Sequence, residues 1–99
     1  PLGGELWAYV PYNALPHLKW LADKNYSHVA YVDGAIKQYD VNIFDPNDAD
    51  HPGGWGTIIV ANMRLGGGAY TIDNPETTSA QTLSSSYIIM DVTNPEKAP

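Results

Sequence analysis

An all-β domain with one short helix, its strands joined as an antiparallel sheet, is the fold class that the sequence predicts. Three observations carry it. Two β-branched runs, residues 57–63 and 86–92, are short and bounded by turn formers, the pattern of buried strands. Nine Gly and eight Pro among 99 residues cut the backbone into brief segments. Helical spacing of apolar residues appears once, over residues 13–22, and lasts only about two turns.

Residues 5–10 alternate Leu6, Ala8 and Val10 against Trp7 and Tyr9, a strand that Pro11 closes. Asn13 is placed to cap the short helix, with Pro16 in its first turn and Leu15, Leu18, Trp20, Leu21 and Ala22 on its apolar side. Asp23-Lys24-Asn25 ends it. Residues 27–32 form a second extended run, closed by Asp33-Gly34, a turn in which glycine supplies a positive φ. Residues 35–44, with Ile36, Tyr39, Val41 and Ile43 in loose alternation, make another strand. The segment 45–54, Asp-Pro-Asn-Asp-Ala-Asp-His-Pro-Gly-Gly, holds nothing to bury and reads as a surface loop. After the strand at 57–63 come a glycine bend at Gly66-Gly67-Gly68, a short strand at 69–72, a polar excursion at 73–82 and the last strand at 86–92.

Composition excludes several function classes. A formal charge of −6, with only five Lys and Arg scattered along the chain, lacks the clustered cations that neutralise phosphates or attract an anionic membrane surface. No nucleic-acid partner is expected. Without cysteine there are no disulfides, thiolate metal sites or cysteine nucleophiles. No apolar run approaches the roughly 18 residues of a spanning helix, so membrane insertion is not expected. Residues 1–3, Pro-Leu-Gly, read as a tag remnant and are set aside.

Seven pieces follow one another across nearly the whole chain: Glu5-Leu-Trp-Ala-Tyr-Val-Pro, Leu15-Pro-His-Leu, Asn25-Tyr-Ser-His, Tyr31-Val-Asp-Gly34, Gly54-Trp-Gly-Thr-Ile-Ile-Val, Gly66-Gly-Gly68 and Asp91-Val-Thr-Asn-Pro95. Together they resemble the PilY family of type IV pilus assembly and tip proteins. The resemblance implies that residues 4–99 are a blade-plus fragment of a quinoprotein-like β-propeller, whose blades are four-stranded antiparallel sheets. Gly4-Glu5-Leu6-Trp7 would close one blade, the helix would connect, and residues 39–43, 57–63 and 86–92 would be the first three strands of the next, with the fourth beyond Pro99. The acidic loop 45–54 and the insertion 73–85 depart from the family pattern. Partial blades leave unpaired edges. The implied partners are therefore the missing part of the propeller, a second copy joined through strand edges, or pilin and minor pilin subunits. Secretion to the periplasm, cell surface or pilus is implied by the family alone.

No catalytic residue and no cofactor is expected. The one candidate metal loop is Asp45, Asn47, Asp48 and Asp50, with His51 behind it. Calcium takes six to eight oxygen ligands, and alternating Asp and Asn oxygens with a closing Glu can wrap it. Here Pro46 stiffens the loop, the acids are not at alternating positions, and Gly56 stands where the bidentate Glu belongs. A solvated acidic turn is the preferred reading, with calcium kept as the alternative. The family's Asp-x-Asp-x-Asn calcium loop has no counterpart in this stretch. His17, His28 and His51 are too far apart for a zinc helix motif and read as structural. Ser84-Ser85-Ser86 lacks the setting of a nucleophile elbow. The triple glycine is followed by a strand former rather than the helix of a phosphate loop. Trp7, Trp20 and Trp55 sit in or beside predicted elements, which fits packing better than stacking on sugars.

The function expected is thus non-enzymatic: a structural or interaction protein of pilus biogenesis or pilus-tip adhesion, acting through protein contacts. The alternatives are a blade of a quinoprotein dehydrogenase, or a small loop-based calcium- or carbohydrate-binding β module.

Overall fold

The computed structural model describes residues 2–73 and 79–99. Five strands are present among them: β1 (Lys37–Asn42), β2 (Trp55–Asn62), β3 (Tyr70–Ile72), β4 (Gln81–Leu83) and β5 (Tyr87–Asp91). β1, β2 and β5 form a three-stranded sheet in that order, and β3 and β4 pair as a separate two-stranded sheet. The chain divides into two compact units. The first comprises the residues up to Tyr9, Ile36–Ala61 and Ile88–Pro99; the second comprises Val10–Ala35 and Asn62–Tyr87.

In the first unit β1 runs antiparallel to β2, pairing Lys37 with Val60 and Asn42 with Trp55. Thr57 lies opposite Asp40, and its hydroxyl donates to the Asp40 carboxylate at 2.8 Å, a cross-strand pair of the kind that fixes register. The chain returns from β1 to β2 through the acidic loop. Its exit is a tight 3-10 turn, Pro52–Gly54, in which Gly53 and Gly54 take φ of +67° and +82°. Only glycine adopts such angles freely, and the turn closes with the Phe44 amide donating to the Gly54 carbonyl at 3.2 Å. The expected strands at 35–44, 57–63 and 86–92 are therefore present, each shifted by one or two residues at its ends.

Two expected strands are corrected. Residues 4–10 form no ladder; Leu6 stays 69% exposed, and the Trp7 indole donates to the Pro95 carbonyl at 3.1 Å. Alternation of side chains sets which face each residue would take, but a strand also needs an edge to pair with, and none is offered here. Residues 27–32 are irregular for the same reason. The turn that follows them is corrected in its cause: Gly34 has no positive φ, and glycine is needed because a Cβ would collide with the Asn62 side chain and carbonyl, to which the Gly34 amide donates at 3.0 Å.

In the second unit the helix is a 3-10 helix, Tyr12–Ala22, entered from Pro11. Pro16 removes an amide from its interior. Its ends show the three-residue spacing, Ala14 amide to Pro11 carbonyl at 2.9 Å and Asp23 amide to Trp20 carbonyl at 3.1 Å. Asn13 does not cap it. Its amide group reaches the Ser84 carbonyl at 2.7 Å, the Met63 sulfur at 2.9 Å and the Ser86 hydroxyl at 3.2 Å, tying the helix to the segment before β5. β4 was not expected, lying at the end of what reads as a polar excursion; Thr71 and Thr82 pair across it at 3.2 Å. The remainder of that excursion, residues 74–78, lies outside the described residues.

Little of this is deeply buried. Among the described residues the buried apolar side chains are Ala14, Ala61 and Met63, and no large side chain is wholly enclosed. Ile43, Trp55, Tyr87 and Ile89 are each more than half exposed.

Candidate functional site

The acidic loop is built as two successive Asx turns, in which a carboxylate accepts from a backbone amide two residues on. Asp45 accepts from the Asn47 amide at 2.9 Å, and Asp48 accepts from the Asp50 amide at 2.9 Å. These bonds draw the chain into a coil from which His51 turns inward. Contrary to the sequence reading, this loop does bury a side chain: His51 is only 7% exposed. Its ring lies against Phe44, with centroids 3.9 Å apart and planes within 16°.

Both ring nitrogens of His51 face carboxylates. Nε2 is 2.8 Å from Asp91 Oδ2, and Nδ1 is 3.3 Å from Asp48 Oδ2, the latter an ion-pair contact without hydrogen-bond geometry. Burial opposes protonation of the ring, but the hydrogen bond to Asp91 and the contact with Asp48 outweigh it and raise the His51 pKa above the ordinary value. Asp91 in turn accepts from the Thr93 amide at 3.0 Å and hydroxyl at 2.6 Å, while the Thr93 hydroxyl takes the Thr57 amide at 2.8 Å. Burial pushes the Asp91 carboxyl up, and these Thr93 donors with His51 bring it below the usual carboxylate range. Asp50 completes the arrangement by holding Lys97 and, at 3.1 Å, Asn94; both donors lower its pKa.

The arrangement fastens the loop 45–54 to the exit of β5. Each predicted loop residue is occupied by an internal donor or is itself one: Asp45 by Asn47, Asp48 by the Asp50 amide and His51, Asp50 by Asn94 and Lys97. Among the described residues no group of three or more His, Asp or Glu is arranged to hold a metal ion. An open cavity of about 480 Å³ beside the loop is lined by Asp40, Asp50, Pro52, Trp55, Gly56, Thr57 and Thr93.

The other candidates fall elsewhere. His17 packs edge-on to Tyr70 at 4.3 Å, and its carbonyl accepts the Tyr31 hydroxyl at 2.9 Å. His28 is exposed. The glycine bend does bring an amide to an anion, but the anion is the chain's own: Gly66 donates to Asp33 at 2.9 Å. A Cβ at Gly66 would collide with the Tyr31 backbone, so close approach explains the glycine. Ser84 and Ser86 are acceptors for Asn13.

Two curated proteins of Xylella fastidiosa (strain Temecula1 / ATCC 700964), each described as a type IV pilus biogenesis factor PilY1 homolog, match the chain. One is 35% identical over 72 residues, 72% of the chain and 5% of that protein. The other is 32% identical over 91 residues, 91% of the chain and again 5% of that protein. These matches support a relation to the PilY family. The chain spans about a twentieth of the length of these PilY relatives. No family model matches it, and no solved structure matches it significantly.

What the sequence reading missed at the loop is the receiving half, Phe44, Asp91, Thr93, Asn94 and Lys97. A signal for it was available. Asp91-Val-Thr-Asn-Pro95 is one of the pieces carrying the PilY resemblance, and Asp-x-Thr is itself an Asx turn, here aimed at His51 from forty residues away.

Proposed function

We propose that the chain is a structural and interaction segment of a secreted, PilY-related type IV pilus protein, a partial β-propeller that acts through protein contacts and catalyses nothing. In this reading β1, β2 and β5 are three strands of one blade, and the free edges of β1 and β5 are completed by the rest of the parent or by pilin-type subunits. The observation that carries it is the pair of matches to PilY1 homologs across most of the chain. The exposed apolar side chains add physical support. Tyr39, Ile43, Trp55 and Ile89 in the first unit, and Leu15, Trp20, Leu21 and Tyr87 in the second, stand in solvent; apolar surface on this scale marks an interface. Among the described residues no helix is long and apolar enough to cross a membrane.

The test is made in the parent protein. Ile43→Ser, Trp55→Ser and Ile89→Ser together should reduce the number of surface pili several-fold while the parent is still exported at its normal level. Unchanged piliation at normal export would overturn the reading.

A further inference from the structure

The His51 ring has carboxylate oxygens on both of its nitrogens, from Asp48 within the loop and from Asp91 at the end of β5. Ionised carboxylates only accept, so both contacts are attractive only when both nitrogens carry protons. A neutral ring carries one proton, and its other nitrogen then aims a lone pair at an anion. The two sides are not equally held. Asp91 is the closer and is fixed by the Thr93 amide and hydroxyl, which are themselves tied to Thr57 of β2. The Asp48 side chain is 47% exposed, held otherwise by the Asp50 amide. Phe44 stacks on the ring, and Gly56 packs against its edge, where a Cβ would stand 2.8 Å from His51 Cδ2.

We propose that His51 is a proton-operated latch: doubly protonated it bridges Asp48 and Asp91, and singly protonated it keeps Asp91 through Nε2 and releases Asp48 with the turn 45–49. The charged groups facing the ring are Asp48 and Asp50 from the loop and Asp91 from β5, with Lys97 of the tail reaching Asp50. Asp50 and Lys97 shift each other in the directions that keep both charged, so residues from Asp50 onward stay fastened while the turn before them opens.

Linkage fixes the sign. His51 has its folded pKa raised above 6.5, so its stabilisation is complete below that value and is lost as pH rises through the folded pKa. Asp48, Asp50 and Asp91 have theirs lowered, so their contribution is present above 3.8 and is lost as pH falls through the folded values.

Nitrogen-15 NMR of the imidazole rings of the 99-residue chain, from pH 5 to 9, tests the latch. The expected result is a His51 with both nitrogens protonated at pH 6.5, a midpoint above the ordinary histidine value and an Nε2–H tautomer beyond it. The amides of Asn47, Asp48 and Ala49 should move with that midpoint. Asp48→Asn should lower the midpoint without displacing the Val92 and Thr93 amides, and His51→Gln should abolish the pH response of the turn. A His51 midpoint at or below the ordinary value, an Nδ1–H neutral tautomer, or turn amides indifferent to the titration would overturn it. Should His51→Gln fail to fold, Asp48→Asn decides alone.

Discussion

Met63→Ala is expected to cost about 2–5 kcal/mol, the range for emptying a buried methionine site. Met63 is one of only three buried apolar residues among those described, and its sulfur gathers the Asn13 amide and, at 3.6 Å, the Ser86 hydroxyl. Truncation would leave a cavity and remove the seat on which Asn13 ties the 3-10 helix to the segment before β5. Set against the 5–15 kcal/mol by which domains of ordinary stability are held, a loss of this size removes a large share of the stability. Urea denaturation at fixed protein concentration checks it: the midpoint should fall sharply with the slope unchanged. A shift equivalent to less than about 0.5 kcal/mol, the size of a surface substitution, would show that Met63 is not core.

Gly56→Ala should have the next largest effect, at about 1–3 kcal/mol, the usual cost of overpacking. A Cβ built there stands 2.5 Å from Phe44, 2.6 Å from the Thr93 hydroxyl and 2.8 Å from the His51 ring. All three belong to the fastening of the acidic loop, and none is a solvent-facing chain end free to swing aside. The variant should therefore lose the Phe44–His51 stack while the pairing of β1 with β2 survives. Aromatic chemical shifts of Phe44 and His51, with hydrogen exchange of the β1 and β2 amides, separate the two. Retention of the stack at wild-type stability would contradict the packing described.

How legible the fold was depended on how local its cause is. Strands β2 and β5 were readable because β-branched runs between turn formers have few other solutions, and β1 because Ile36, Tyr39, Val41 and Ile43 alternate loosely. Residues 5–10 and 27–32 carry similar alternation and fail as strands because pairing is a property of two segments, and neither finds an edge. Asn13 is a good capping residue by type, yet its amide group is claimed by Met63, Ser84 and Ser86 at separations of 50 to 73 residues, which no local rule sees. Gly34 and Gly66 were rightly marked as special, but the cause is close approach to Asn62 and Tyr31, not the positive φ expected of Gly34 or a bend alone at Gly66.

At the candidate site the same division holds. The turns from Asp45 to Asp50 follow from Asx chemistry and were legible as a turn-rich loop. The burial of His51 was not, because it depends on Phe44 before the loop, Gly56 after it and Asp91 at the end of β5, forty residues on in sequence. A histidine among acids and prolines looks solvated until the partner that covers it is placed.

We propose that these residues are packed against more protein. Sedimentation velocity of the isolated chain over a hundredfold concentration range, paired with its thermal transition, is the direct measurement. The mass should rise above the 10.8 kDa of one chain as concentration increases, with a transition temperature that rises alongside it. A 10.8 kDa monomer at every concentration, unfolding in one sharp concentration-independent transition, would contradict it.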